Sequence, residues 1–202
     1  MKKYNFSSKQ KGFSLIELII VVVILGILGV VAARVTSGSP DPANATAIRS
    51  AASELSKGVG YLHANLGTGL SPTANPLQAT GMSMMDVLMV GRTAVAAAYQ
   101  TQFDRSNMRP LEGEFRIVTR PTGSTPGSYE LLSYPLSFVT AGCGVGKICV
   151  QFQRVPSSTV QELVSKYGIN NFVASTALTT GPVRYTAADS SGFHNVTLEN
   201  VP

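Results

Sequence analysis

Apolar residues follow three different patterns along this chain. From Phe13 to Ala33, 21 consecutive residues carry a single charge, Glu17. A helix of that length rises roughly 31 Å at 1.5 Å per residue, enough to cross the hydrocarbon core of a bilayer. Lys2, Lys3, Lys9 and Lys11 precede the run, which predicts a cytoplasmic amino end and a remainder sent across the membrane.

The second pattern is helical. Ser37-Gly38-Ser39-Pro40-Asp41-Pro42 interrupts the apolar run, and Asp41 followed by Pro42 reads as an N-cap with proline at the first helical position. Ile48, Ala52, Leu55, Val59, Leu62 and Leu66 then step by 4, 3, 4, 3 and 4. That spacing predicts a helix over 42–66 with one apolar face packed on a sheet, ended by Gly67-Thr68-Gly69. A second helix is predicted over 82–103, with Met85, Leu88, Val95 and Tyr99 on one side. Met82, Met84, Met85 and Met89 read as adaptable core or interface packing.

The third pattern, from about Glu114, is alternation. Strands are predicted over 115–119, 129–132, 136–140 and 147–155, with Pro135 dividing the middle pair and Ile148, Val150, Phe152 and Arg154 on one face. After Pro156, Ser157-Ser158 is expected to cap a short helix ending near Tyr167 and Gly168. Late strands are expected at 183–186 and 196–198. The order of helices, then antiparallel strands with one inserted helix, predicts an α+β fold.

Glu17 is costly inside a membrane helix, by roughly 2.5–3.5 kcal/mol at the centre and less near an end. A cut between Gly12 and Phe13 would remove the four lysines and leave an α-amine one helical turn from Glu17. The Glu17 of one copy could then pair with the Phe13 amine of a neighbour and set the axial register of packed helices. The stretch GFSLIELIIVVVILGIL resembles the processing site and N-terminal helix of type IV prepilins and type II secretion pseudopilins. The resemblance covers about 25 of 202 residues. It implies cleavage by a membrane prepilin peptidase after Gly12, N-methylation of Phe13, and a role for Glu17 in assembly. It also implies a pilin-like architecture, in which a long N-terminal helix, half in the membrane and half in the head, packs on an antiparallel β-sheet. The segment CVQFQRVPSSTVQELVSKYG, Cys149 to Gly168, resembles the central strand and following helix of type IVb pilins, although it lacks the cysteine those helices usually carry.

Charge and composition narrow the remainder. The chain has 16 basic residues, four of them in the leader, which leaves 12 against 11 acidic ones. The mature chain is thus close to neutral, and no nucleic-acid partner is predicted. Cys143 and Cys149 are six apart around GVGKI, and in an exported protein such a pair is expected to form a disulfide. His63 and His194 are isolated, so no metal site is predicted. No phosphate loop, GxSxG, HExxH or EF-hand spacing occurs, so neither a cofactor nor an enzymatic activity is implied. Gly142-Cys143-Gly144-Val145-Gly146 reads as a hairpin turn.

The expected organisation is a cleaved leader over 1–12, a transmembrane and filament-core helix over 13–35, and a globular head over 36–202. The resemblance implies a pilus subunit held in the inner membrane before assembly and extracellular afterwards. Its implied partners are further copies of itself, the peptidase/N-methyltransferase and an inner-membrane assembly platform. A type II secretion pseudopilin and a minor pilin or tip adhesin are the alternative roles.

Overall fold

A computed structural model describes residues 41–69, 76–107, 118–119 and 127–200. All of them belong to one unit, Asp41–Pro202. The expected leader and membrane helix, and the expected strand residues 115–117, lie outside the described residues.

Helix α1 runs Asp41–Leu66. All six positions of the apolar stripe are buried, and Ala45, Ala51, Ser56 and His63 widen it. Ser56 lies in this apolar face because its hydroxyl donates to the Ala52 carbonyl at 2.7 Å, so no polar group is stranded. Gly67, at φ 65°, supplies the left-handed residue that ends the helix. The buried face of α1 lies against strands β4 (Ile148–Pro156) and β6 (Phe193–Asn200) and helix α4 (Ser157–Ser165). At its amino end, Thr159 of α4 donates to the Asp41 carboxylate at 2.5 Å.

The next helical region departs from expectation. In place of one helix over 82–103 there are α2 (Met84–Met89), a 3-10 turn (Arg92–Ala94) and α3 (Ala97–Arg105). Gly91 at φ 79° breaks the first helix. Val95 and Ala96 are then drawn into extended conformation because they pair with the chain at Leu77–Ala79. The Ala96 amide donates to Leu77 and that of Ala79 to Ala94, each at 2.8 Å. Periodicity persisted across the break because Met85, Leu88 and Val95 all remain buried. Met84, Met85 and Met89 are core residues and Met82 packs against them.

Among the described residues the sheet has six antiparallel strands in the order β1-β2-β3-β4-β6-β5. They are β1 Val118–Thr119, β2 Tyr129–Leu131, β3 Tyr134–Val139, β4 Ile148–Pro156, β5 Val183–Tyr185 and β6 Phe193–Asn200. Helix α4 (Ser157–Ser165) leaves directly from β4. Pro135 does not divide a strand; it lies within β3, opposite Glu130. The turn is instead Leu132-Ser133, both at positive φ, the conformation that a tight two-residue hairpin requires. Pairing of β3 with β4 begins only at Leu136↔Phe152, so the donor that Pro135 lacks costs no ladder bond.

Arg154 does not share the inward face of Val150 and Phe152 either. It sits at φ 57° in a bulge, where the β4–β6 register shifts between Phe152 and Val155. The extra residue turns Arg154 outward, over the Phe193 ring at 5.4 Å, and brings Val155 into the core.

Asp86 joins the α2 region to the sheet. Ser83 and Asp86 form a reciprocal capping box at the start of α2. The same carboxylate accepts from the Gly127 amide at 2.6 Å and the Tyr129 hydroxyl at 2.8 Å. Burial pushes the Asp86 carboxyl up, but the bonds from Ser83, Tyr129 and Gly127 together outweigh it and hold the carboxyl below its ordinary 3.8. A depressed folded-state value contributes stability above the unfolded pKa, which is lost as pH falls through the folded one. Asp86→Asn is expected to cost about 3 kcal/mol at neutral pH, because donors around a charged acceptor lose their partner. Urea unfolding between pH 7 and 2 checks this. The stability difference between the two proteins should shrink below about pH 4; a constant difference would show that the carboxylate charge contributes nothing.

Candidate functional site

The most elaborated polar cluster among the described residues lies at the end of the sheet where β3 turns into β4. Thr140 to Lys147 forms the connection, and Gly142 and Gly146 take φ 69° and 70°. These glycines fold the loop tightly enough to bring Cys143 and Cys149 to a Cα separation of 5.8 Å, and the two are disulfide-bonded. Glycine richness here makes a hairpin turn, as expected. The loop tip carries Val145, which is 97% exposed.

Two strands distant in sequence grip this loop. Arg184 of β5 donates to the Gly142 carbonyl and, at 3.3 Å, to Cys149 Sγ. Glu199 of β6 accepts from Lys147 Nζ at 2.5 Å and from the Gly144 amide at 3.3 Å. Arg184 and Glu199 are 3.9 Å apart. The hydrogen bond from Lys147 is the main cause that holds the Glu199 carboxyl below its ordinary range; burial opposes it, and the Gly144 amide and the two cationic charges add to it. Beside the loop is a groove of about 320 Å³, lined by both cysteines, Lys147, Phe138, Val59 and Met85 among others.

Cys143, Cys149 and Glu199 also form a group with metal-ligand spacing, but the two sulfurs are already bonded to each other. His63 and His194 lie elsewhere and do not meet. His63 Nδ1 is 2.8 Å from the Thr68 hydroxyl, and burial pushes its ring toward the neutral form.

His194 is a residue whose surroundings the sequence reading missed. Its Nδ1 is 2.7 Å from the Thr186 carbonyl and its Nε2 is 2.8 Å from Ser157 Oγ. A carbonyl only accepts, so Nδ1 carries a proton. Ser157 Oγ also lies 2.9 Å from the Gly192 carbonyl. Ser157 was expected to cap α4, yet no side-chain cap bond forms there. Its hydroxyl serves β6 and the turn before it. The imidazole is 1% exposed and stacks edge-on against Phe172 and Tyr185. The group therefore works as a joint between α4, β5 and β6.

Gly12, Phe13 and Glu17 lie outside the described residues. Residues 7–33 match the family described as the prokaryotic N-terminal methylation motif. The match spans 27 of the 202 residues and includes all three of these positions. It marks a prepilin-type amino end and supports a pilin- or pseudopilin-like protein. Comparison with curated proteins and with solved structures found no match.

The two positive-φ glycines of the loop separate backbone strain from crowding. A Cβ at Gly142 would lie 2.9 Å from Arg184 Nη1, whereas one at Gly146 would meet nothing within 4 Å. Gly146→Ala is expected to cost about 1 kcal/mol from the left-handed backbone alone. Gly142→Ala should cost more, because it also displaces Arg184. Urea midpoints of the two variants, compared with the parent, check the order.

Proposed function

We propose that this prepilin-type chain is a structural subunit of a type IV pilus. A prepilin peptidase cuts after Gly12, the new amino terminus at Phe13 is N-methylated, and the mature subunit polymerises through its N-terminal helix. The carrying observation is the methylation motif over residues 7–33. Seven residues separate it from α1, whose buried stripe makes that helix the spine of an α+β head.

In this reading the segment 13–35 holds the subunit in the inner membrane before assembly and forms the filament core afterwards. The Glu17 carboxylate of an incoming subunit meets the Phe13 amine of its neighbour and neutralises both charges in an apolar setting, where neither is stable alone. The partners are other copies of the chain, the peptidase/N-methyltransferase and the inner-membrane assembly platform. In this reading the head presents loops outside the filament core. With 12 basic against 11 acidic residues after the leader, the mature chain is close to neutral, and no nucleic-acid partner is proposed.

Mass spectrometry of sheared surface material from expressing cells tests this. The expected dominant species begins at N-methylated Phe13 and carries the Cys143–Cys149 bond. Processed protein confined to the envelope would move the assignment to a type II secretion pseudopilin or a minor subunit, and an intact Met1 would overturn processing altogether. Glu17→Ala is expected to insert and be cut normally yet to lower filament yield at least tenfold, scored by shearing and immunoblotting. Normal yield would remove the register role.

A further inference from the structure

The two sulfurs of the disulfide sit in unequal surroundings. Cys149 lies on β4 and is 1% exposed, whereas Cys143 lies in the loop and is only partly buried. Both line the same groove. The Arg184 guanidinium donates to Cys149 Sγ at 3.3 Å. Glu199 is also near, at 4.0 Å from that sulfur, but its carboxylate is held by Lys147 and by the Gly144 amide. Of the two charges at Cys149 Sγ, the Arg184 cation is the nearer, and the Glu199 anion is offset by its ion pair with Lys147. A positive environment lowers a thiol's pKa, and a lower leaving-group pKa speeds disulfide exchange.

We propose that Cys143–Cys149 is a thiol-exchange site of fixed polarity, in which Cys143 receives the incoming small thiol and Cys149 departs as a thiolate beside Arg184. The incoming thiolate attacks Cys143 Sγ in line with the sulfur–sulfur bond. A new sulfur–sulfur bond forms there, and the Cys143–Cys149 bond breaks with its electron pair passing to Cys149 Sγ. The thiol is oxidised to the mixed-disulfide level and Cys149 is reduced, so electrons balance with no other reactant. Closure is the reverse: the Cys149 thiolate attacks the Cys143 mixed disulfide and expels the small thiol. Arg184 is thus a positioning and charge-stabilising residue for both directions. This holds whatever the assembled state of the chain, and so does not rest on the pilus reading.

The test uses the full-length protein in detergent with glutathione as the probe. Exchange is quenched in acid, and peptide mapping locates the first glutathione adduct. Cys143 is expected to carry it; an adduct mainly on Cys149 would overturn the polarity. Opening rates are then compared for the parent, Arg184→Gln and Arg184→Lys at one pH. Arg184→Gln is expected to open about 3- to 10-fold more slowly, with Arg184→Lys between the two. A merely structural role predicts the opposite sign, since loss of the Arg184–Gly142 contact loosens the loop and should speed opening. Equal or faster opening of Arg184→Gln would therefore overturn the charge role. The adduct position is read on the unaltered chain, so a variant that folds poorly does not remove that arm. Repeating the rates in urea should abolish the difference between parent and variants, because the guanidinium is then no longer held at the sulfur.

Discussion

One face of α1 is buried along nearly all its length, and the other elements of the head are arranged to cover it. Ile48, Ala52, Leu55, Val59, Leu62 and Leu66 are each at most 2% exposed. A large apolar side chain removed from water contributes about 2 kcal/mol, while a domain's net stability is only about 5–15 kcal/mol. Few of these side chains could be lost before the head unfolded. A sheet alone does not cover a helix of 26 residues. Helix α4 fills one flank, leaving β4 directly at Pro156, and the short α2 and α3 segments cover another part.

Polar groups buried at the margins of this core act as ties between segments distant in sequence. Asp86 binds the α2 region to the start of β2. Thr159, buried on α4, binds that helix to Asp41 at the start of α1. His194 binds β6 to α4 and to the chain after β5. Each is satisfied by its partners, as a buried polar group must be. Together they fix which element lies beside which, a specificity that apolar packing alone does not provide.

The sequence made the α1 stripe, the β4 alternation and the disulfide pair legible, because each is a local pattern. It misled where a tertiary contact overrode local preference. The 82–103 segment keeps helical spacing, yet Gly91 and pairing with Leu77–Ala79 cut it into pieces. Arg154 sits at an alternating position, but the bulge removes it from the inward face. Leu132-Ser133 carries none of the usual Asn-Gly signal for a tight hairpin turn, so in the sequence alone Pro135 stands out as the break. Arg184, Glu199 and the Ser157–His194 contact were invisible because their partners lie 35 to 55 residues away. Only pairing across the sheet joins them. The signal in Gly12, Phe13 and Glu17, by contrast, needs no fold to be read.

The disulfide has a mechanical consequence. It encloses only five residues within one turn and links neither α1 nor β6 to anything else. If the head were drawn out by its ends, this bond would withhold only about 20 Å of contour. The chain from Asp41 to Pro202 spans about 550 Å at full extension. Resistance to tension therefore rests on noncovalent contacts, chiefly the α1 face and the ladder between β4 and β6. Such contacts yield and can re-form when the load is released, while the β3–β4 turn stays closed as a template for their return.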